Sequence, residues 1–514
     1  MDLRTQLRRS AGYFSERLAV VHDDRRVTFQ EAWSRGLRLA NALIAMGLRP
    51  GDRIATLEDN SIEAADIFLA AAAGNFVRVP LYARNRYETH RHMMASTECK
   101  LALVSERYHG EVSGLDAQLP CLEQIIVRGP DYESWLAGFG DEDPDPPVSP
   151  EDYCVIRHTG GTTGLPKGVG YRHRTWLSAG RGFYQCAPPL RVGDGVLHIG
   201  PLAHGSGYMF SPAWAAGARN VMMSSFEPKA LLDILEAEEI AYVFLAPTIL
   251  SAIVNCASVR HRSFPHLKMI LSTSAPVSDR TALLARELFG PDVLYQGYGQ
   301  TEALPIAMMG PADWFGDIPG STPMRACGRV LDDVDIEIRD DAGRLQPPNQ
   351  PGEIWVRIEN RQMEGFWNDP AESARRLSNG WVRTGDIGKI DQNGFLYLLD
   401  RSNDVIISGG FNIYPAELEN VIAEHPHVRA VAVVGVPHEK WGETPLAIVV
   451  IDPGAPVDAA DIVALVSQRL GSMKKPSEVI FRTEALPVSN VGKVMRAQLR
   501  KPFWEGRSQR ISGS

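Results

Sequence analysis

Apolar residues Phe29, Trp33, Leu37, Ala40 and Ile44 recur every three or four positions among polar neighbours, which predicts an amphipathic helix. Thr28 and Glu31 have the spacing of a capping box at its start, and Gly47 stands where a glycine ends such a helix. A strand-like run at 54–57 follows. The alternation returns farther on: 228–238 reads as helix, 242–245 as a buried strand and 247–254 as helix. The alanine-rich stretch 64–77, interrupted by Asp66 and Asn75, reads as a buried helix rather than a membrane span. Layering of this kind, without a sequence repeat, predicts an α/β protein. From about residue 330 the runs shorten into strands at 334–338, 352–358 and 395–399, as in a β-rich subdomain. A strand at 430–436 and a helix at 459–470 then predict a small α+β unit of about 110 residues, able to move as a body.

At 514 residues the chain is too long for one core, and 44% hydrophobic with 22% charged residues is an ordinary globular balance. The net charge of −9 and the scattered Lys and Arg residues argue against nucleic-acid binding. The six cysteines, Cys99, Cys121, Cys154, Cys186, Cys256 and Cys327, form no C-x-x-C pair, so neither a zinc site nor a disulfide framework is expected. Reduced thiols, a charged N-terminus without an apolar leader, and no run of ~18 apolar residues point to a cytoplasmic protein with no integral membrane segment.

The stretch T-G-G-T-T-G-L-P-K-G at 159–168 changes the picture. An acidic, proline-rich loop at 138–150 leads into a strand at 153–157, and that strand delivers Thr159, Gly160, Gly161, Thr162, Thr163, Gly164 and Lys167. Glycines can turn backbone N–H groups inward, threonines add hydroxyl donors, and the lysine brings the charge a polyphosphate requires. It is not a Walker A loop, because Leu165 and Pro166 separate Gly164 from Lys167 and Gly168 follows. A solvated Gly/Thr turn is the competing account of the loop alone.

Six further motifs follow it in order: P-L-A-H-G at 201–205, S-T-S-A-P-V-S at 272–278, Y-G-Q-T-E at 298–302, T-G-D at 384–386, D-R-S-N-D-V-I-I-S-G-G-F-N-I-Y-P-A-E-L-E at 400–419 and G-K-V at 492–494. With G-D-R-I-A at 51–55 and W-G-E at 441–443, the chain resembles, over nearly its whole length, the adenylate-forming superfamily of acyl-CoA synthetases, amino-acid adenylation domains and luciferases. The resemblance implies an α/β fold with a large N-terminal domain, 1–402, of stacked αβαβα layers carrying a β-rich subdomain at about 330–400. A small mobile α+β lid, 403–514, completes it.

It also implies roles. The loop holds the β- and γ-phosphates of ATP, Glu302 anchors Mg²⁺, and Thr301 contacts the α-phosphate. Asp386 binds the ribose hydroxyls and Arg401 reaches the same diol. Ser274, Ala275 and Pro276 flank the adenine, and Tyr298, followed by Gly299, stacks on it. Lys493 faces the reacting carboxylate and the α-phosphate. Gly409 and Gly410 leave a path for the pantetheine arm of CoA, and His204 gates the acyl pocket. Each residue has a structural alternative: a surface carboxylate for Glu302, a turn Asp and a surface Arg for Asp386 and Arg401, a core tyrosine for Tyr298, a turn for the glycine pair and a hydrogen-bonded core histidine for His204. Gly160 stands where many relatives carry serine, Asn403 where the hinge has Asp or Lys, and Val491 where a small polar residue is commoner.

The implied acyl pocket, from 183–184, 204–207, 246–248, 272–274, 296–297 and 303–306, contains no fixed charge, which suits an apolar or aromatic monocarboxylate. Gly205, Ser206 and Gly207 offer no aspartate for an amino group. The expected reaction is ATP-dependent conversion of such an acid to acyl-AMP with release of pyrophosphate, then transfer to CoA. Loading of an acyl-carrier protein is the alternative, a catalytically silent nucleotide-binding relative lies beyond it, and luciferase-like oxidation is remoter. A homodimer is left open.

Overall fold

The computed structural model describes residues 1–159, 165–401, 404–488 and 494–505. The capping box closes as expected: Thr28 Oγ1 accepts from the Glu31 N–H at 3.2 Å and Glu31 Oε2 from the Thr28 N–H at 2.7 Å, starting the helix Phe29–Ala45. Gly47 follows at φ +93°, a left-handed value that glycine adopts without strain. This helix lies close against the helix Ile62–Ala73, since a Cβ on Gly36 would fall 2.6 Å from Leu69 Cβ. Buried Asp66 is satisfied by Arg35, at 2.7 and 2.9 Å.

The alanine-rich stretch corrects the reading of 64–77 as one helix. The helix stops at Ala73, Asn75 turns the chain at φ +54°, and Val77–Pro80 is a strand. The turn is held from outside the stretch: Asn75 Nδ2 donates to Asp152 at 2.9 Å and its Oδ1 meets His173 Nε2 at 3.0 Å.

Two sheets flank a layer of helices. The smaller has six strands, in the order Gln124–Arg128, Leu101–Ser105, Arg53–Leu57, Val77–Pro80, Tyr153–Thr159 and Lys167–Arg172, with only the last pair antiparallel. The larger has fourteen strands, and its parallel part includes Gly195–His198, Ile240–Phe244, Met269–Ser272 and Leu294–Gln300. Between the sheets, helices Phe29–Ala45, Ile62–Ala73, His173–Gly182 and Gly207–Ala215 pack through rings: Phe29 on Trp214 and Phe68 on Phe210 at 4.5 Å, Trp176 on Tyr208 at 4.6 Å. Helices Pro228–Ala237, Pro247–Val254 and Asp279–Phe289 cover the far face of the larger sheet, and Tyr87–Ser96 the far face of the smaller. These are the stacked αβαβα layers. The strands after residue 330 extend the larger sheet, joined to it through Gly328–Val330, which pairs with Ala303–Met309 on one side and Phe395–Arg401 on the other.

A separate five-stranded sheet spans residues 406–482, with helices Pro415–Ile422 and Ala459–Leu470 on one face and Arg496–Trp504 on the other. Arg496 bridges Glu419 and Asp404, and lies 3.7 Å from buried Asp400, whose carboxyl burial pushes up to about 7.

His173 shows how one buried side chain joins distant segments. Its Nδ1 accepts from the Leu3 N–H at 3.2 Å while Nε2 meets Asn75, and burial holds the imidazole down at about 4. The folded protein therefore keeps His173 neutral, whereas the unfolded chain takes up a proton below about 6.5. Its contribution is present above that value and is lost as pH falls toward the folded one. We expect the gap in Tm between the native protein and His173→Gln to narrow as pH is lowered from about 7.5 to about 4.5. A gap independent of pH in thermal melts would contradict the neutral buried imidazole.

Candidate active site

Asp386 brings together Tyr298 and Arg401, two of the residues singled out by sequence. It lies in Trp381–Ile390, directly across the ladder from Arg401, and is 5% exposed. Tyr298 donates its hydroxyl to Asp386 Oδ2 at 2.6 Å, Gln300 Nε2 donates to the same oxygen, and Arg401 Nε pairs with Oδ1 at 2.8 Å. Two donors fill the two lone pairs of Oδ2, so the remaining acceptor position is on Oδ1, beside Arg401. The carboxylate raises the pKa of Arg401, while burial first, then Asp386, push the Tyr298 hydroxyl well above its ordinary value; both stay donors at neutral pH. Tyr298 is thus buried and bonded at once, and its ring forms a wall beside the carboxylate.

Thr301 and Glu302 form the tight turn between Leu294–Gln300 and Ala303–Met309. The Thr301 carbonyl accepts from the Tyr171 hydroxyl, which accepts from Tyr208 at 2.7 Å, and Arg157 lies over the Tyr208 ring at 4.5 Å. All three side chains are buried, and Arg157 has no ion pair among the described residues. The Glu302 carbonyl accepts from the Met363 N–H at 2.7 Å, so the turn is held from both sides. Its carboxylate is 3.8 Å from Arg376, which also donates to the carbonyls of Arg383 and Thr384 and to Gln300.

Gln300, Arg376 and Tyr171 are site residues that the sequence reading did not single out. Gln300 stood inside the Y-G-Q-T-E motif; Arg376 and Tyr171 had no sequence signal, because only folding brings them to the turn.

Lys167 differs from expectation. Instead of a free charge in a loop, it begins the strand Lys167–Arg172, opposite Thr159, and pairs with Glu372 at 2.9 Å, holding that carboxyl below its usual range. Its neighbours Gly160, Gly161, Thr162, Thr163 and Gly164 lie outside the described residues, as do Asn403, Val491, Gly492 and Lys493. Ser274, Ala275 and Pro276 follow Met269–Ser272, which pairs with Leu294–Gln300, so they emerge on the same sheet edge as Tyr298. Ser274 takes φ +78°, a strained value for a residue with a side chain. A Cβ on Gly299 would fall 2.8 Å from Leu304 Cβ. Gly409 and Gly410 form the turn between Ile406–Ser408 and Phe411–Ile413 at φ +57° and +84°; a Cβ on Gly409 would meet the Trp441 ring at 2.7 Å, while Gly410 faces open space. His204 lies in the turn before Gly207–Ala215, its ring edge-on to Tyr82 at 5.8 Å.

Comparison with known proteins fits this arrangement. Residues 7–367 match the AMP-binding enzyme family and residues 417–493 the AMP-binding enzyme C-terminal domain. The chain is 33% identical to the feruloyl-CoA synthase of Amycolatopsis sp over 489 residues, 94% of this chain and 96% of that protein. It is 32% identical to the fatty acid–[acyl-carrier-protein] ligase ScoC of Streptomyces coeruleorubidus over 502 residues, 96% and 95% of the two chains. The solved amide bond synthetase McbA from Marinactinospora thermotolerans superposes with a TM-score of 0.87 at 30% identity, over 98% of this chain and 100% of that one.

Asp386→Asn preserves shape but replaces an acceptor with a donor opposite Arg401. We expect AMP affinity, measured by calorimetric titration, to fall about tenfold or more, roughly 1.4 kcal/mol. Unchanged affinity would remove Asp386 from the nucleotide site.

Proposed function

The chain belongs to the AMP-binding enzyme family, and from that premise we propose that it is an AMP-forming acid–CoA ligase acting on an apolar or aromatic carboxylic acid. The observation that carries the reading is the Asp386 cluster, in which Tyr298, Gln300 and Arg401 hold a carboxylate in place beside the Thr301–Glu302 turn. The feruloyl-CoA synthase relative supports CoA as acceptor, and the fatty acid–[acyl-carrier-protein] ligase keeps a carrier protein as the alternative.

In this reading 1–402 carries the nucleotide and 403–514 is the lid. An oxygen of the acid attacks the α-phosphorus of ATP, the bond to the β-phosphate breaks, and pyrophosphate leaves. The CoA sulfur then attacks the acyl carbon, the carbon–oxygen bond of the mixed anhydride breaks, and AMP leaves. The loop 159–167 takes the β- and γ-phosphates through N–H groups and hydroxyls, which places donors where water would have to reorganise. Lys167 exchanges Glu372 for phosphate as ATP arrives. Asp386 and Arg401 orient the ribose, Tyr298 and the 274–276 segment enclose the adenine, and the Tyr171 bond keeps Thr301 facing the α-phosphate. Glu302 suits Mg²⁺: its carboxylate is buried, 3.8 Å from Arg376, and would hold the ion together with phosphate oxygens. When bound there, the ion would supply charge neutralisation for the phosphates. Lys493 opposes the negative charge that builds as two anions meet, and the Gly409–Gly410 turn admits the pantetheine arm once the lid has turned.

No helix among the described residues is long and apolar enough to cross a membrane, and all six cysteines are free, which supports a reducing, cytosolic setting.

The test is pyrophosphate release with MgATP across fatty, benzoic, cinnamic and dicarboxylic acids, with and without CoA. We expect CoA-dependent turnover with uncharged-tail acids and little with dicarboxylates. Release that a pantetheinylated carrier protein stimulates and CoA does not moves the assignment to carrier loading; no release with any acid overturns it. Lys493→Ala is expected to slow adenylation by about 10²–10³ while sparing thioester formation from supplied acyl-AMP. Equal loss of both half-reactions would refute the turning lid.

A further inference from the structure

The lysine that closes the glycine-threonine motif already has an anion beside it. We propose that Glu372 is a positioning residue that competes with the outer phosphates of the nucleotide for Lys167, and so sets how tightly ATP is held and how readily pyrophosphate leaves. This rests on the acid-activating reading above and deepens it.

Backbone contacts between distant segments build the pairing. The strand Lys167–Arg172 meets Phe366 in an antiparallel bridge at Val169, and the Trp367 N–H donates to the Gly168 carbonyl at 2.7 Å. Asp369 then starts the helix Pro370–Arg376 by accepting from the Glu372 N–H at 3.0 Å, and Ser373 Oγ accepts from the Phe366 N–H at 2.8 Å. The backbone of Glu372 is thereby fixed beside the strand, while its side chain reaches Lys167 Nζ at 2.9 Å. The same Nζ lies over the Phe366 ring, 5.6 Å from its centroid.

Two features suit this pair to exchange rather than to permanent support. The Lys167 side chain is 37% exposed, so Nζ can turn from the carboxylate to an arriving anion without crossing a dry interior. Glu372, for its part, keeps a cation when the lysine leaves: Arg375, three residues on and 75% exposed, pairs with its Oε2 at 2.9 Å. The Lys167 ammonium first, and Arg375 after it, hold the Glu372 carboxyl below its usual range, so it is an anion at neutral pH. A phosphate must therefore take Lys167 from a carboxylate rather than from water. The apparent affinity of a group held partly in a non-binding state falls with the fraction that is free to bind. The same competition works in reverse once the bond between the α- and β-phosphates has broken, because Glu372 reclaims Lys167 and loosens pyrophosphate.

The test is calorimetric titration of the full-length protein with ATP and with AMP, for the native chain, Glu372→Gln, Lys167→Met and the double variant. Glu372→Gln is expected to tighten ATP by about threefold to fivefold, the scale of a partly exposed ion pair, and to leave AMP, which lacks the outer phosphates, unchanged. In the Lys167→Met background the same substitution is expected to leave ATP affinity unchanged, because the competition needs the lysine. Inhibition of turnover by added pyrophosphate is expected to strengthen in Glu372→Gln by the factor seen for ATP. ATP affinity or pyrophosphate inhibition that is unchanged or weakened in Glu372→Gln would overturn the proposal; weakening is what loss of a mere support for Lys167 would give. An equal gain with AMP, or an equal gain without Lys167, would also overturn it, since each marks a lost negative charge acting at a distance. A native protein that binds neither ATP nor AMP would instead bring down the nucleotide-binding reading itself.

Discussion

A single buried carboxylate, Asp386, joins the parts of this molecule that have to agree. Its oxygens are divided among Tyr298 and Gln300 from one strand and Arg401 from another, so the parallel region of the large sheet and its antiparallel extension meet at one anion. An anion buried to this degree is tolerated because every neighbour is a donor. The same requirement makes the geometry precise: if either sheet region shifted, Asp386 would lose a partner without gaining water. The site is therefore supported by the cost of leaving a charge unmet, and only the acceptor position beside Arg401 remains open on this carboxylate.

A second network works without anions. Arg157, on the strand that delivers the glycine-threonine loop, lies over Tyr208, and the two tyrosine hydroxyls pass a chain of hydrogen bonds to the Thr301 carbonyl. A guanidinium held by aromatic faces and phenols keeps its charge in the interior, because the surroundings supply π-electron density and oxygen lone pairs in place of a carboxylate. The consequence is mechanical as well as electrostatic. The smaller sheet, which carries the glycine-threonine loop, and the larger sheet, which carries the Thr301–Glu302 turn, are tied together through buried side chains.

The places where sequence reasoning succeeded and failed follow from the range of the forces involved. The capping box at Thr28 was legible because both partners lie within one turn of helix, and the Gly409–Gly410 turn because glycine pairs mark left-handed backbone. The alanine-rich segment was extended too far because Asn75 turns the chain with help from Asp152 and His173, 77 and 98 residues away in sequence. Lys167 was legible as the charge that closes the glycine-threonine motif, yet its partner Glu372 could not be read from the motif. Arg376 and Tyr171 escaped for the same reason: an arginine at a helix end and a tyrosine in a strand look ordinary until the turn they support is folded against them.

By itself the sequence determined which groups are available: an ordered series of motifs, each local, supplying glycine turns, hydroxyl donors, carboxylates and a lysine near the C-terminus. It also determined the alternation of helix and strand, because periodicity and caps act over a few residues. Only the tertiary structure decided which of those groups are already spent on one another and which remain open to a ligand. Asp386 is nearly filled, Lys167 is paired with Glu372, and Arg157 is held over the Tyr208 ring. That division depends on distances between segments far apart in the chain, which are fixed by burial and by the cost of leaving buried polar atoms without partners.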